Sequence, residues 1–412
     1  MSKKKLLFIG ITMNSGGTET SFLSFVNCLD FDKYDADLIL AKNQGLLMPL
    51  IDKRVNVRFM PEYGDLFLLS GRNAFSNLFN TFVKGSPLAL LEIMPYFFRL
   101  VFARGQKART AIRLFIKMMG RIAPVEEPYD AAVAYWGDRT MFYMVDKVPN
   151  ARKKIAWMHF DYNKPAGDRD DAIYLDYFKK CDRIINVSAA VDGALRAKLP
   201  EIADKCLVIE NIRSPELIRK RALEPESFPD AHFKGLRVLT LARISEQKGI
   251  DMIPEILAKL KRGKYNLRWY ILGDGDENIK AQVISLAMKY EVAEMLVFLG
   301  ARMNPYPFMR DCDIYAQPSR FEGKPVSVEE AKIMRCPIVC ADYLSAREQL
   351  GCDAGESAGR FGRVAEISPE SLYQHIKELI DRPDLREHYA KALAREDFGN
   401  SGEINKFYAI LE

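Results

Sequence analysis

The sequence predicts an α/β protein made of two doubly wound, Rossmann-like parallel-sheet domains that face each other across a cleft. Three observations predict it. Strand-length runs are apolar on both faces, they alternate with longer helix-periodic runs, and the alternation breaks once near the middle of the chain and then resumes.

In the first half the strand candidates are "KKLLFIGI", "YDADLILAK", "VNVRFMP", "DAAVAYW", "KKIAWMHF", "DRIINVS" and "KCLVIEN". Such runs suit strands covered by helices on both sides. The stretch 211–234, "NIRSPELIRKRALEPESFPDAHFK", is polar, carries three prolines and shows no clear strand, so it reads as a connection. A second series follows: "LRVLTLAR", "LRWYILGD", "LVFLGAR", "CDIYAQPS", "CPIVCAD" and a weaker "RFGRVAE", alternating with helical runs such as "DMIPEILAKLKR", "IKAQVISLAMKY" and "VSVEEAKIM". The expected division is a first domain over 1–211, a linker over 212–234, a second domain over 235–386, and a helical segment over 387–412 that returns to the first domain.

Composition narrows the function. A chain of 412 residues, 48% hydrophobic and 28% charged, can build two cores of its own. With Lys+Arg 60 against Asp+Glu 55, the net charge of +5 gives no ground for a nucleic-acid partner. Seven scattered cysteines do not form a disulfide framework and suit a reducing cytoplasm. The opening "MSKKKLLFIG" is basic and then apolar, too short for a signal-peptide core, and reads as a first strand. No run approaches the roughly 18 to 20 apolar residues of a spanning helix.

In an open α/β sheet the ligand lies beyond the carboxyl ends of the strands, so residues just after each strand are the candidates. After the first strand, "TMNSGGTETSF" places Gly16 and Gly17 at the start of a helix, as a phosphate loop or as a capped turn. In "LTLARISEQKGIDM", Arg243 and Lys248 set two cations ahead of a helix, suited to a diphosphate or simply solvated. In "SRFEGKPVSVEEAK", Pro325 fits the first turn of a helix, which leaves Glu322, Gly323 and Lys324 on the loop before it. Glu322 can accept hydrogen bonds from a polyol, the Gly323 and Lys324 amides can donate, and Glu330 lies over two turns further on, at the distance of another part of one ligand. Glu329 is expected to face solvent. In "IAWMHFDY", His159 follows an apolar run, as a contact to a reacting group or as a structural histidine. Asp274 and Asp276 of "GDGDE" read as a turn instead of a metal site, and no Cys or His cluster has zinc spacing.

These residues bring a family into view. "FEGKPVSVEE" resembles the E-x7-E signature of retaining glycosyltransferases of family 4, and "LARISEQKGID" resembles their Arg and Lys element; "ILGDGDE", "VFLGARMN" and "DIYAQPSRFEG" follow the family's order, from about Leu236 to Leu379. The resemblance implies a GT-B fold, a nucleoside diphosphate sugar as co-substrate, retained anomeric configuration, and neither metal nor cofactor. Carried over by position, Arg243 and Lys248 would bind the diphosphate and stabilise the leaving group, and Glu330 would hold the ribose. Glu322 with the Gly323 and Lys324 amides would hold the donor sugar, Gly17 would approach the diphosphate from the facing domain, and His159 would sit near sugar and acceptor. Donor identity would be read around 300–304, with Arg302 and Asn304 as contacts. The expected acceptor is a hydroxyl of a glycan or lipid-linked molecule in bacterial surface polysaccharide or glycolipid synthesis. A sugar-nucleotide epimerase and a non-catalytic nucleotide-sugar-binding scaffold are the alternatives.

Residues 84–121 combine apolar side chains with Lys84, Arg99, Arg104, Lys107, Arg109, Arg113, Lys117 and Arg121. They read either as a basic amphipathic surface that rests on an anionic membrane, which would place a cytoplasmic enzyme on the inner face of the plasma membrane, or as core helices with a solvated basic face.

Overall fold

The computed structural model describes residues 2–60, 64, 67, 107–164 and 170–412. The chain forms two compact units: 1–14 with 25–210 and 402–412, and 15–24 with 211–401.

Among the described residues the first unit holds a seven-stranded parallel sheet: β1 (Lys4–Gly10), β2 (Tyr34–Leu40), β3 (Asn56–Phe59), β4 (Tyr129–Ala134), β5 (Ala151–Met158), β6 (Arg183–Asn186) and β7 (Cys206–Val208). Their order is β3-β2-β1-β4-β5-β6-β7. Leu6 to Ile9 of β1 and Ala131 to Ala134 of β4 are wholly buried, as central strands covered on both faces require. All seven strands fall on the runs the sequence marks.

The second unit's sheet holds β8 (Leu236–Leu241), β9 (Leu267–Leu272), β10 (Leu296–Gly300), β11 (Ile314–Gln317), β12 (Ile338–Ala341) and β13 (Gly362–Ala365), in the order β10-β9-β8-β11-β12-β13. Every pairing is parallel. The chain winds outward from β8 through β9 to β10, then returns to place β11 on the other side of β8. The gap between the carboxyl ends of β8 and β11 is therefore the switch point at which such sheets bind ligands.

Two boundaries differ from the sequence expectation. The stretch after Asn211 forms a helix, Pro215–Arg221, capped by the Ser214 hydroxyl. Its Ile218 and Ala222, with Phe228, enter the second core beside Tyr270, Phe308 and Met309. The segment is thus a piece of the second unit, because its few apolar residues are spaced to pack on one face. At the other end, the helix Pro383–Ala394 stays with the second unit, and the helix Glu403–Leu411 belongs to the first. Phe407 of that last helix packs edge-on against Phe25 at 5.0 Å and near Trp157 at 6.1 Å, while the Tyr408 ring stacks on Tyr34 at 5.1 Å.

Of the basic stretch, residues 84–106 lie outside the described residues. The helix Lys107–Met119 turns Ile112, Leu114, Phe115, Met118 and Met119 into the first core. Arg113 pairs with Asp170 at 2.6 Å, and Arg109 approaches the same carboxylate at 3.7 Å. This part is a core helix with a basic outer face. Among the described residues no helix is long and apolar enough to cross a membrane.

Candidate active site at the switch point of the second sheet

The loops that follow β8 and β11 are strapped together. The Arg320 backbone N–H donates to the Gln247 carbonyl at 2.8 Å, and the Gln247 side-chain amide donates to the Phe321 carbonyl at 2.9 Å. The Arg320 guanidinium makes a two-pronged pair with Asp251 at 2.7 and 2.6 Å. Gly249 adopts φ +65°, and a Cβ there would stand 2.1 Å from the Pro318 carbonyl oxygen, so both backbone conformation and close approach require glycine. The third strand end joins in. The Ile244 N–H donates to the Asp274 carbonyl and the Asp276 N–H to the Ile244 carbonyl, at 3.0 and 2.9 Å.

Across this junction Lys248 Nζ donates to Glu322 Oε1 at 2.5 Å. The same oxygen accepts from the Ser319 hydroxyl at 2.7 Å and from Gln317 Nε2 at 3.3 Å. Gln317 and Ser319 are wholly buried, and Glu322 is 7% exposed. The carboxylate is therefore held by one oxygen. Among the described residues its Oε2 meets only the Gln247 amide, at 3.4 Å, and keeps acceptor capacity for a hydroxylated ligand. The buried Gly323 amide makes no hydrogen bond among the described residues. Arg243, on the loop after β8, is exposed and forms no ion pair among the described residues.

Pro325 stands one residue before the helix Val326–Ile333 and caps it with extended backbone. The loop's carbonyls are taken: Asn211 Nδ2 donates to the Lys324 carbonyl at 3.4 Å and Gln349 Nε2 to the Pro325 carbonyl at 3.2 Å. Within the helix Glu330 is 4% exposed and accepts from the Tyr306 hydroxyl at 2.9 Å. Burial pushes its carboxyl up to about 7, against the pull of the Tyr306 hydroxyl and the Arg221 charge.

Glu329 corrects an expectation: it is 2% exposed instead of facing solvent. Burial raises its carboxyl, but the charges of Arg213, Lys332 and Lys324 outweigh that and hold it at about 2. Lys332 lies 3.2 Å away, Arg213 3.5 Å, and the Gln349 amide donates at 3.0 Å. Helical spacing placed Glu329 about 100° from Glu330 correctly. What lies on that side, the stretch around Arg213 and Phe398, comes from residues far away in sequence.

The other candidates are placed as follows. A Cβ on Gly16 would stand 2.4 Å from the Glu19 carboxylate, a negative charge where an anion loop needs the reverse; a Cβ on Gly17 would stand 3.8 Å from Val326, and both residues belong to the second unit instead of the first. Asn304 is buried, its amide donating to the Arg221 carbonyl and to Glu224, each at 2.8 Å, so it secures the helix Pro215–Arg221. Arg302 is exposed, 3.9 Å from Glu226. Asp276 caps the helix Glu277–Lys289, and Asp274 accepts from the Ala301 N–H. Among the described residues no group of three or more His, Cys, Asp or Glu is arranged to hold a metal. His159 belongs to the first unit, where it follows β5 and lies parallel to the Trp157 ring at 6.1 Å. Sequence reading missed Gln247, Asp251, Gln317, Ser319 and Tyr306. Gln247 and Asp251, beside Lys248, and Ser319, three residues before Glu322, had only a positional signal.

The two Rossmann-like units have the GT-B fold, and solved structures share it over nearly the whole chain. Anabaena HepE in complex with UDP and glucose aligns with a TM-score of 0.69 at 16% identity, covering 98% of each chain. S. aureus TarM, as a mutant in complex with fondaparinux, alpha-GlcNAc-glycerol and UDP, aligns with a TM-score of 0.66 at 13% identity, covering 99% of this chain and 100% of that one. Residues 227–396, which contain the strapped loops, match the family described as glycosyl transferases group 1. A curated relative is the Campylobacter jejuni N-acetylgalactosamine-N,N'-diacetylbacillosaminyl-diphospho-undecaprenol 4-alpha-N-acetylgalactosaminyltransferase, 30% identical over 187 residues, 45% of this chain and 47% of that protein. The amylovoran biosynthesis glycosyltransferase AmsD of Erwinia amylovora is 25% identical over 181 residues, 43% of this chain and 48% of that one. The alignments thus span about half the length of these two relatives.

Proposed function

We propose that the chain is a retaining glycosyltransferase that moves a sugar from a nucleoside diphosphate sugar to a hydroxyl of a glycan or lipid-linked acceptor in bacterial surface polysaccharide or glycolipid synthesis. The observation that carries this reading is the Lys248–Glu322 pair at the β8–β11 switch point, oriented through one carboxylate oxygen by Ser319 and Gln317. It sets a cation and a polyol acceptor side by side where an α/β sheet binds its ligand. UDP in the related folds and undecaprenol-linked or polysaccharide substrates in the relatives' names support the choice of donor and acceptor.

In this reading Lys248 keeps one N–H on Glu322 and turns its others to the diphosphate, while Arg243 supplies the second charge. Both stabilise the departing nucleoside diphosphate without a divalent ion, an electrostatic role aimed at charge that develops in the transition state. Glu322 Oε2 and the Gly323 and Lys324 amides hold the donor sugar, and Glu330 accepts from the ribose hydroxyls. Arg302 borders the base. The protein acts in the cytoplasm, with those basic side chains of the stretch 84–121 that do not pack into the first core meeting the inner face of the membrane.

The test is thermal stabilisation by a panel of nucleotide sugars, followed by transfer with the best donor and NMR of the product's anomeric centre. Stabilisation, a product of unchanged configuration, and transfer unaffected by EDTA are expected. Formation of an epimer from donor alone, or donor binding without turnover on any lipid-linked acceptor, would replace the reading. Pelleting with phosphatidylglycerol vesicles at low salt checks the membrane contact, and its absence removes it.

A further inference from the structure

All seven cysteines are free thiols, and two of them meet. Cys312 Sγ and Cys336 Sγ are 3.8 Å apart, the only thiol–thiol contact among the described residues. Both sulfurs also lie within hydrogen-bonding reach of the Met309 carbonyl, at 3.4 and 3.0 Å, so the two side chains already point to one spot.

The sheet explains the approach. Cys312 lies just before β11 and Cys336 just before β12; these strands are parallel neighbours with Tyr315 opposite Ile338, and the Tyr315 N–H donates to the Pro337 carbonyl at 2.9 Å. Extending that register sets Cys312 diagonally across from Cys336. The two sulfurs, 3.8 Å apart, have to close by less than about 2 Å to reach the length of a disulfide bond. Cys336 is 3% exposed and Cys312 is only partly exposed, with its thiol packed inside, so the oxidant has to be small and reaches the pair through local opening at the Cys312 side.

We propose that Cys312 and Cys336 form a reversible modification site that closes to a disulfide when the protein meets a two-electron thiol oxidant such as a diazene or a small-molecule disulfide. With a diazene the two thiols lose two protons and two electrons as the S–S bond forms, and the N=N bond takes them up to become a hydrazine. The bond would join the turns that follow the helices Tyr306–Arg310 and Val326–Ile333. Those two helices already share the Tyr306–Glu330 hydrogen bond, so oxidation adds a second tie behind the candidate ribose carboxylate. The Cys336 hydrogen bond and burial push the Cys312 thiol well above its ordinary range, which makes closure slow under mild conditions.

The experiment treats the full chain with diamide under native conditions, alkylates the remaining thiols, and maps tryptic peptides. The expected product joins residues 311–320 to residues 336–347, with Cys340 alkylated, and reverts with dithiothreitol. Cys312→Ser should abolish it, and Cys336→Ala should do the same if that variant holds its fold. The oxidised protein should unfold at least about 4 °C higher than the reduced one, because the bond closes a loop between positions 24 apart in sequence. Alkylated Cys312 and Cys336 after diamide, or a linked pair that unfolds at lower temperature, would overturn the proposal.

Discussion

Glu329 and Glu330 are neighbours on one helix turn and are driven in opposite directions. Among the described residues Glu330 has a single neutral hydrogen-bond donor, so burial prevails over it and the Arg221 charge, and its carboxyl stands at about 7, above the ordinary 4.5. The unfolded chain releases this proton first, so stability falls as pH rises from about 4.5 to about 7 and then levels. The difference between the two states is worth about 3 kcal/mol. For Glu329, held at about 2 by Arg213, Lys332 and Lys324, the sign reverses: its contribution is present above about 4.5 and is lost as pH falls toward 2. Urea titrations of Glu330→Gln should therefore show a flatter stability profile between pH 5 and 7 than the parent. An unchanged slope would mean that Glu330 is ionised throughout. Glu329→Ala should cost about 3 to 5 kcal/mol at pH 7, since it leaves buried cations without their carboxylate. If the carboxylate form of Glu330 holds the ribose, donor affinity should rise with pH through about 7 and then level, and calorimetry at several pH values checks this. Lys248→Ala and Arg243→Ala should each lower turnover by about 10² to 10³ while circular dichroism stays unchanged. Near-normal transfer by both would remove them from the chemistry.

At the scale of elements, the site depends on loops held in place by their neighbours. The turn after β8 is secured to the one after β11 by Gln247, by the Asp251–Arg320 pair and by the backbone approach at Gly249. Gly249→Ala must adopt a left-handed backbone and displace the Pro318 carbonyl, so it should destabilise the second unit by at least about 2 kcal/mol. It should also weaken donor binding. Thermal unfolding with and without UDP separates the two effects, and a variant that matches the parent in both would show that the loop tolerates rearrangement. The strands were legible because the central parallel strands are short, mostly apolar runs bounded by polar turns, and the edge strand β3, NVRF, with no buried residue, was located by its β-branched valine run and its place in the alternation. The straps were not legible. Gln247, Gln317, Ser319 and Tyr306 are ordinary polar residues until the fold sets them beside Glu322 or Glu330.

At the scale of the whole molecule, each unit keeps its own core, and the last helix returns to the first one. Phe407 sits among Phe8, Phe25 and Trp157, and Lys4 and Lys153 donate to the Leu411 and Ile410 carbonyls at 2.8 and 2.6 Å. Phe407→Ala should therefore cost about 3 to 5 kcal/mol in the first unit. Hydrogen exchange should show faster opening of β1 and β5 with β8 and β11 unaffected, whereas uniform loss across both sheets would refute independent cores.

From the order of residues alone came the two-sheet architecture, the strand ends where a ligand belongs, and the candidates Arg243, Lys248, Glu322 and Glu330, since periodicity and position after a strand are local properties. Tertiary structure alone decided that Glu329 is buried among cations, that residues 15–24 join the second unit, and that Cys312 meets Cys336. The physical reason is common to all three: burial, charge pairing and thiol contact depend on partners brought from distant parts of the chain, which no local pattern encodes.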